Sequence, residues 1–340
     1  MSSRCQQLLW TAVFFGLMAL IPLLVQAGPL LSLAIMTGYY MLLAASWNFL
    51  AGFIGQFSFA HMGLAGVGGY TAALSTFYLD VSPVWTFPMA GLAAAVAGLL
   101  LGVVSLRVKG ISLPLITFGF AGAFKVWTAA ARDLTHGKNG LFSDMLFPAS
   151  SQSAYLWLVI GLCFLFFVLQ SLILTSRWGL YMTAVHDDEA IAEGIGIKTT
   201  RIKLAVFTYT SLWAGIAGSL FASYQGLVSP VMMHLSEMGL LVVMVVLGGM
   251  GRPFAAISGA IVIQIINYWT RGIGGEYTLL IVALICLPVV FFARDGISGL
   301  VGELVRRITG SKTHRWADEN HAKAIEDSDQ QEGSRHSPAT

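Results

Sequence analysis

The sequence predicts an all-α polytopic integral membrane protein of about ten transmembrane helices, with both ends on the cytoplasmic side. Three observations predict it. Hydrophobic residues make up 56% of the 340-residue chain and charged residues 11%, with a mean hydropathy of +0.75, far outside the usage of soluble domains. Apolar runs recur at lengths near the roughly 20 residues that cross a bilayer. Lysine and arginine collect in alternate connections between those runs, as the positive-inside rule requires.

Taken in order, the first run is Leu8 to Val25, longer than the apolar core of a signal peptide, although Val25-Gln26-Ala27 resembles a small-residue cleavage site and Pro22 ends or kinks a helix there. The following spans read 30–51, 57–79, 83–106, 111–131, 154–176, 203–224, 237–250, 255–270 and 277–293. With the N-terminus inside, Arg4, Arg107, Lys109, Arg177, Lys198, Arg201, Lys203, Arg252, Arg294, Arg306, Arg307, Lys312, Arg315, Lys323 and Arg335 face the cytoplasm, 15 of the 19 basic residues. Lys125, Arg132, Lys138 and Arg271 do not, and the inverse topology is disfavoured. Spans 237–250 and 255–270 are short and separated by Gly248, Gly249, Gly251, Arg252 and Pro253, so they read either as full crossings or as a hairpin that dips in and returns. From Ser311 the chain turns polar and aperiodic, a tail with the composition of disorder.

Between two apolar runs lies a charged island, 177–203, holding Arg177, Asp187, Asp188, Glu189, Glu193, Lys198, Arg201 and Lys203. Such a segment belongs in water while its flanks lie in lipid. Asp187 or Asp188 can N-cap a short helix through Glu189, Ala190, Ile191, Ala192 and Glu193, which Gly194 and Gly196 end. A helix this short needs a partner surface to be stable. The plain alternative is an ordinary loop with one amphipathic turn.

The stretch Gly52 to Tyr70 is rich in glycine, and Gly63 with Gly66, then Ala65 with Gly69, lay small residues along adjoining helical strips that suit close helix packing. Gln56, Ser58 and His61 are polar residues that must point inward, either to hydrogen-bond partners between helices or to a solute path. No other ligand-type residue stands at metal spacing from His61.

These two stretches carry a resemblance. Glu189, Ala190, Ala192, Glu193, Gly196 and Ile197, with Arg201 and Lys203 opening the next run, resemble the EAA-type coupling loop of ABC importer permeases, most closely the membrane subunits of branched-chain amino-acid importers, second-permease type. Gly55, Gln56, Ser58, His61, Gly66, Gly69, Tyr70 and Thr71 fill comparable places in a second family segment. Thr117 and Gly119, then Thr135, Gly137, Asn139, Gly140 and Leu141, then Pro230 and Ser236, the Val245 to Gly251 turn, Gly259 and Ala260, Glu276 and Tyr277, and last Gly296 and Leu300 continue the series, which covers roughly residues 30–302. The sequence departs from the family pattern at Gly122, where a carboxylate is common, at His186, where arginine is common, and after the glycine turn, where Ala256 or a neighbour stands for a proline. Lys125 reads as a side chain that snorkels to the outer interface.

The resemblance implies a type II importer permease bundle divided as 1–29, a first membrane segment that also reads as a signal-like anchor; 30–302, the permease domain with coupling loop 177–203; and 303–340, the polar tail. It implies a bacterial-type inner membrane, a second permease subunit, two cytoplasmic ATPases and an extracytoplasmic solute-binding protein as partners. Asp187, Asp188, Glu189, Ala190, Ala192, Glu193, Gly196 and Ile197 would meet the ATPase, and Gln56, Ser58, His61, Thr71 and Thr117 would line the path of a branched-chain or related amino acid.

The residues add exclusions of their own. No phosphate-loop motif Gly-x-x-x-x-Gly-Lys-Ser/Thr exists here, so ATP would be held by partner subunits and this chain carries no cofactor. No hydrolase triad or His-Glu-x-x-His helix argues for an enzyme, and Cys5, Cys163 and Cys286 suggest neither a disulfide framework nor a metal. A net charge of +2 gives no footprint for nucleic acid. The competing class is an ion-coupled secondary transporter or channel for a small neutral, urea- or amide-like solute. It would need carboxylates near the midplane, whereas Asp80, Glu237 and Glu276 all lie near span ends.

Overall fold

A computed structural model describes residues 28–105, 112–148 and 151–270, with isolated positions before residue 23 and after residue 280. The first and last spans read from the sequence, 8–25 and 277–293, and the polar tail lie essentially outside the described residues. The described residues belong to a single unit, Met1–Ser298.

The structure is an all-α membrane bundle: α1 (Gly28–Ile54), α2 (His61–Leu79), α3 (Pro83–Ser105), α4 (Ser112–Ala130), the one-turn α5 (Arg132–Thr135), α6 (Gln152–Leu174), α7 (Arg177–Asp187), α8 (Glu189–Gly194), α9 (Thr199–Gln225), α10 (Leu235–Gly248) and α11 (Ala255–Thr270). By length and composition five of these, α1, α3, α4, α6 and α9, can cross a membrane. The α2 helix, at 19 residues, is diluted by Gly, Ser and Thr, and α10 and α11 are shorter. Eight of the ten expected spans thus correspond to helices, and five of those are long apolar crossings among the described residues.

The central helix is α9, which packs on α3, α2 and α1. Glycine makes this possible, because small residues let helix backbones touch where lipid offers no hydrophobic drive for association. A β-carbon on Gly68 would strike the Gly215 carbonyl, and one on Gly218 would strike the carbonyl of Ala65. On α3, Gly98 lies against Ser211 of α9 in the same way. The expected small-residue strips are therefore split between partners: Ala65, Gly68 and Gly69 face α9, Gly63 faces Ala121 of α4, and Gly66 faces Met233. On the opposite surface α3 and α4 expose Leu92, Leu100, Leu115 and Val126, which suits contact with lipid tails.

Helices α10 and α11 form a hairpin packed along α1. At a rise of 1.5 Å per residue they are about 21 and 24 Å long, short of a hydrocarbon core of about 30 Å. The turn is built by Gly249 (φ +103°) and Gly251 (φ +81°). Gly248 meets the Ala255 carbonyl and Gly259 the Met244 carbonyl, so the two arms touch backbone to backbone. Asn48, buried in α1, fastens the turn with two bonds: its Nδ2 donates to the Arg252 carbonyl (2.8 Å) and its Oδ1 accepts from Gly251 N (3.0 Å).

At the other end of the bundle, β1 (Leu141–Phe142) and β2 (Leu227–Val228) pair antiparallel, with Leu141 opposite Val228. Beside them Tyr155 Oη ties α6 to the last turn of α9 by donating to the Ser223 carbonyl (2.7 Å). At this end too, the Nζ of Lys125 lies 3.3 Å from Nδ1 of His234, the residue that leads into α10, in an exposed contact.

Candidate functional site

The charged island folds into two short helices and a tether. Ser176 caps α7, its hydroxyl accepting from Trp178 N (3.1 Å), so the island opens with an eleven-residue helix, Arg177–Asp187, that the sequence reading did not mark. Asp188 is the cap of α8: its Oδ1 accepts from Ala190 N (2.8 Å) and Ile191 N (3.0 Å). Asp187, the alternative cap, is instead the last residue of α7. The α8 helix closes with paired bonds from Gly196 N to the Glu193 carbonyl and from Ile197 N to the Ala192 carbonyl, both 3.0 Å. This is a Schellman turn, and it needs the left-handed φ of +87° that Gly196 supplies. Gly194 is the last helical residue, and of the two expected terminators Gly196 supplies the left-handed turn.

Two faces result. Ala192 is 1% exposed and turns inward, while Ile191 and Ile195 are 66% and 71% exposed, one turn apart on the outer face. Exposed apolar residues amid charge have no favourable contact with water and suit a docking partner. The acidic side chains are used at the base: Glu193 Oε1 accepts from Thr199 Oγ1 (2.7 Å) and Glu189 pairs with Lys203 Nζ (2.6 Å). Both partners lie in the first turns of α9, so α8 is tied to the central helix of the bundle. The sequence marked Glu189, Glu193 and Lys203 but not Thr199, whose proximity to Glu193 exists only once the Gly196 turn is formed.

The second candidate region is a break. The span expected at 57–79 begins as non-helical chain: α1 stops at Gly55 (φ +76°), residues 56–60 run without helix, and α2 starts at His61. This broken backbone is buried and is satisfied by side chains, as irregular chain inside a membrane protein must be. Trp47 Nε1 donates to the Ser58 carbonyl (2.7 Å), Thr117 Oγ1 accepts from Phe59 N (3.0 Å), and Ser58 Oγ accepts from Ala60 N (3.2 Å). Ser58 and Thr117 are thus brought to one place, and both work as braces of the break. Gln56 and His61 are buried as well, but Gln56 Oε1 and both ring nitrogens of His61 have no hydrogen-bond partner among the described residues. Among the described residues, His61 is therefore not hydrogen-bonded between helices. Thr71 stands apart, one bond from its hydroxyl returning to the Val67 carbonyl of its own helix (2.7 Å).

Both regions lie within the part of the chain that resembles known proteins. Residues 30–291 match the model of a family described as branched-chain amino acid transport system, permease component. The chain belongs to that family. It is 30% identical over 309 residues to the high-affinity branched-chain amino acid transport system permease protein LivM of Salmonella typhimurium, covering 81% of this chain and 71% of the relative. Against LivM of Escherichia coli K12 the identity is 29% over 328 residues, with 87% and 76% covered. LivH of S. typhimurium is more distant, 26% identical over 286 residues, covering 75% of this chain and 91% of the relative. No solved structure matches significantly. As a permease component the chain is a multi-pass subunit of a bacterial inner-membrane ABC importer, one part of a multi-component system, and not an enzyme. The reading as a free-standing ion-coupled transporter is set aside by the same match.

Proposed function

We propose that this permease imports branched-chain amino acids as one of two membrane subunits driven by two cytoplasmic ATPases, with solute delivered by an extracytoplasmic binding protein. The names of the LivM and LivH relatives support the solute. In this reading the subunit has ten membrane segments with both ends inside. The observation that carries the coupling step is the construction of α8: a capped, glycine-terminated helix that offers Ile191 and Ile195 outward and is bonded through Glu189 and Glu193 to the start of α9.

An ATPase pocket that grips Ile191 and Ile195 would pull Asp188, Glu189, Ala190, Ala192 and Glu193 as one rigid piece. The Glu193–Thr199 and Glu189–Lys203 bonds hand that displacement to α9, against which α1, α2 and α3 pack. ATP closure shifts the bundle only in so far as the ATPase contacts α8 differently in its two states. Gln56, through its Oε1, and His61, buried and without hydrogen-bond partners among the described residues beside the helix break, are assigned to the solute path, and Ser58 and Thr117 to holding it open.

Co-reconstitution with a second permease, ATPases and binding protein tests this reading. Leucine uptake that depends on ATP supports it, and ATP-independent uptake by the permease alone overturns it. Ile191→Asp combined with Ile195→Asp should abolish ATPase co-purification while the permease remains folded in the membrane.

A further inference from the structure

At the end of the bundle away from α8, a cavity of about 360 Å³ opens between the outer half of α1, the last turns of α9 and the start of α10. It falls within the range of small-molecule sites, about 300–1,000 Å³. Its polar wall is made by Tyr39, Tyr40, Gln225, Ser229 and Glu237. Glu237 is only partly exposed, and among the described residues its carboxylate has no lysine, arginine or histidine within ion-pair distance. It lies in the first turn of α10, whose N-terminus favours a negative charge, and its side-chain hydrogen bond comes from a neutral group, the Tyr40 hydroxyl, which donates to Oε2 at 2.6 Å. A partly buried carboxylate with a neutral donor on one oxygen and no cation is electrostatically incomplete, and a cation entering the cavity completes it.

Beside it, Tyr39 is buried and its hydroxyl has no hydrogen-bond partner among the described residues. A phenol in that condition is an unused donor and acceptor at the cavity wall. Phe221, Met62 and Met232 supply an apolar side to the same space. Cation-seeking carboxylate, idle phenol and apolar wall are arranged for a small molecule with an ammonium group at one end and a hydrocarbon group at the other.

We infer that this cavity is a solute subsite in which Glu237, positioned by Tyr40, receives the α-ammonium group of an amino acid while Phe221 and the two methionines take its side chain. The inference rests on the importer reading and sharpens it: the subsite selects for the amine, which a fatty acid, a urea or a neutral sugar lacks. Tyr39 then bonds the same solute through its free hydroxyl.

The test uses the complete reconstituted complex. Glu237→Gln should lower ATP-driven leucine uptake about tenfold, the loss expected for one charged hydrogen bond, while ATP hydrolysis stimulated by the binding protein stays within about twofold. Glu237→Asp should recover part of the uptake. As a direct readout, a cysteine placed by Ser229→Cys is labelled with a thiol reagent without ATP, the parent chain giving the background. Leucine should slow that labelling when Glu237 is present and not in the Glu237→Gln background, with sodium or choline as the salt. Protection that follows sodium instead of leucine makes this an alkali-cation site and overturns the inference, as does uptake unchanged by Glu237→Gln or uptake and hydrolysis falling together. Leucine protection is read without ATP, so a wild-type complex that fails to import leucine refutes the importer reading separately.

Discussion

Glu193 accepts a hydrogen bond from Thr199 across the Gly196 turn, 2.7 Å from Oγ1 to Oε1, and this bond joins the last full turn of α8 to the first residue of α9. Thr199 is buried at its end of the bond, whereas Glu193 is exposed at the other. Thr199→Val keeps the shape and removes the donor, costing about 1 kcal/mol of local stability. Uptake per ATP hydrolysed should fall while hydrolysis persists. Glu193→Gln keeps an acceptor oxygen and should behave nearly as wild type, and measuring both ratios in proteoliposomes checks the pair.

Gly194 and Gly196 stand two residues apart with opposite requirements. At Gly196 the left-handed φ of +87° costs a side chain about 1–2 kcal/mol, so Gly196→Ala should unwind the end of α8 and weaken ATPase co-purification about tenfold. Gly194 is helical and a β-carbon there meets nothing within 4 Å, so Gly194→Ala should be neutral or slightly stabilising. Protease sensitivity of the 177–203 loop reads the difference directly.

The bundle's tightest contacts predict where volume is not tolerated. Gly218→Leu drives a side chain into the Ala65 carbonyl and the backbone at Gly69, which cannot retreat without separating α9 from α2. The variant should lose its cooperative thermal transition in detergent. Gly161→Leu, on α6 with open space beside it, should retain that transition.

How much of this was readable in the residues depends on how local each feature is. The Asp188 cap and the Gly196 stop need only a few neighbours in sequence and are legible, as are the eight spans that correspond to helices, five of them long and apolar enough to cross a membrane. The break before His61 was not, because Phe57, Phe59 and Ala60 look as apolar as any helix, and what satisfies their backbone, Trp47 and Thr117, comes from elsewhere in the chain. Helix α7 is not legible so long as 177–203 is taken as one charged island, because its charges, Arg177 and Asp187, stand at its two ends and what marks it is a Ser176 cap and a buried stripe of Gly179, Met182 and Val185. Glu237 was visible as a carboxylate near a span end, but its hydroxyl partner lies 197 residues away in sequence.

Asn48 is a lone amide in an apolar run, and its two bonds to the α10–α11 turn give it a specific test. Asn48→Ala removes both and leaves the Gly251 N–H without its acceptor, a loss of about 1–3 kcal/mol for two part-buried bonds. Asn48→Asp keeps the acceptor for Gly251 but sets a carboxylate oxygen against the Arg252 carbonyl. Both variants should lower the thermal midpoint, and neither should weaken ATPase binding at α8, measured by co-purification.

His61 separates a packing role from a transport role. Its imidazole is fully buried with neither nitrogen bonded among the described residues, so as a mere filler it would cost stability: burying a polar ring without partners is unfavourable by about 1–3 kcal/mol. Replacing it by leucine, of similar volume and wholly apolar, should therefore leave the thermal midpoint unchanged or raise it. If the ring serves the solute path, the same substitution should cut leucine uptake about tenfold in complexes that assemble and hydrolyse ATP normally. Glutamine at the position keeps a donor and an acceptor and should restore part of the uptake. A His61→Leu complex that is more stable and equally active would return the residue to the core and leave Gln56 and the Glu237 cavity to carry the path.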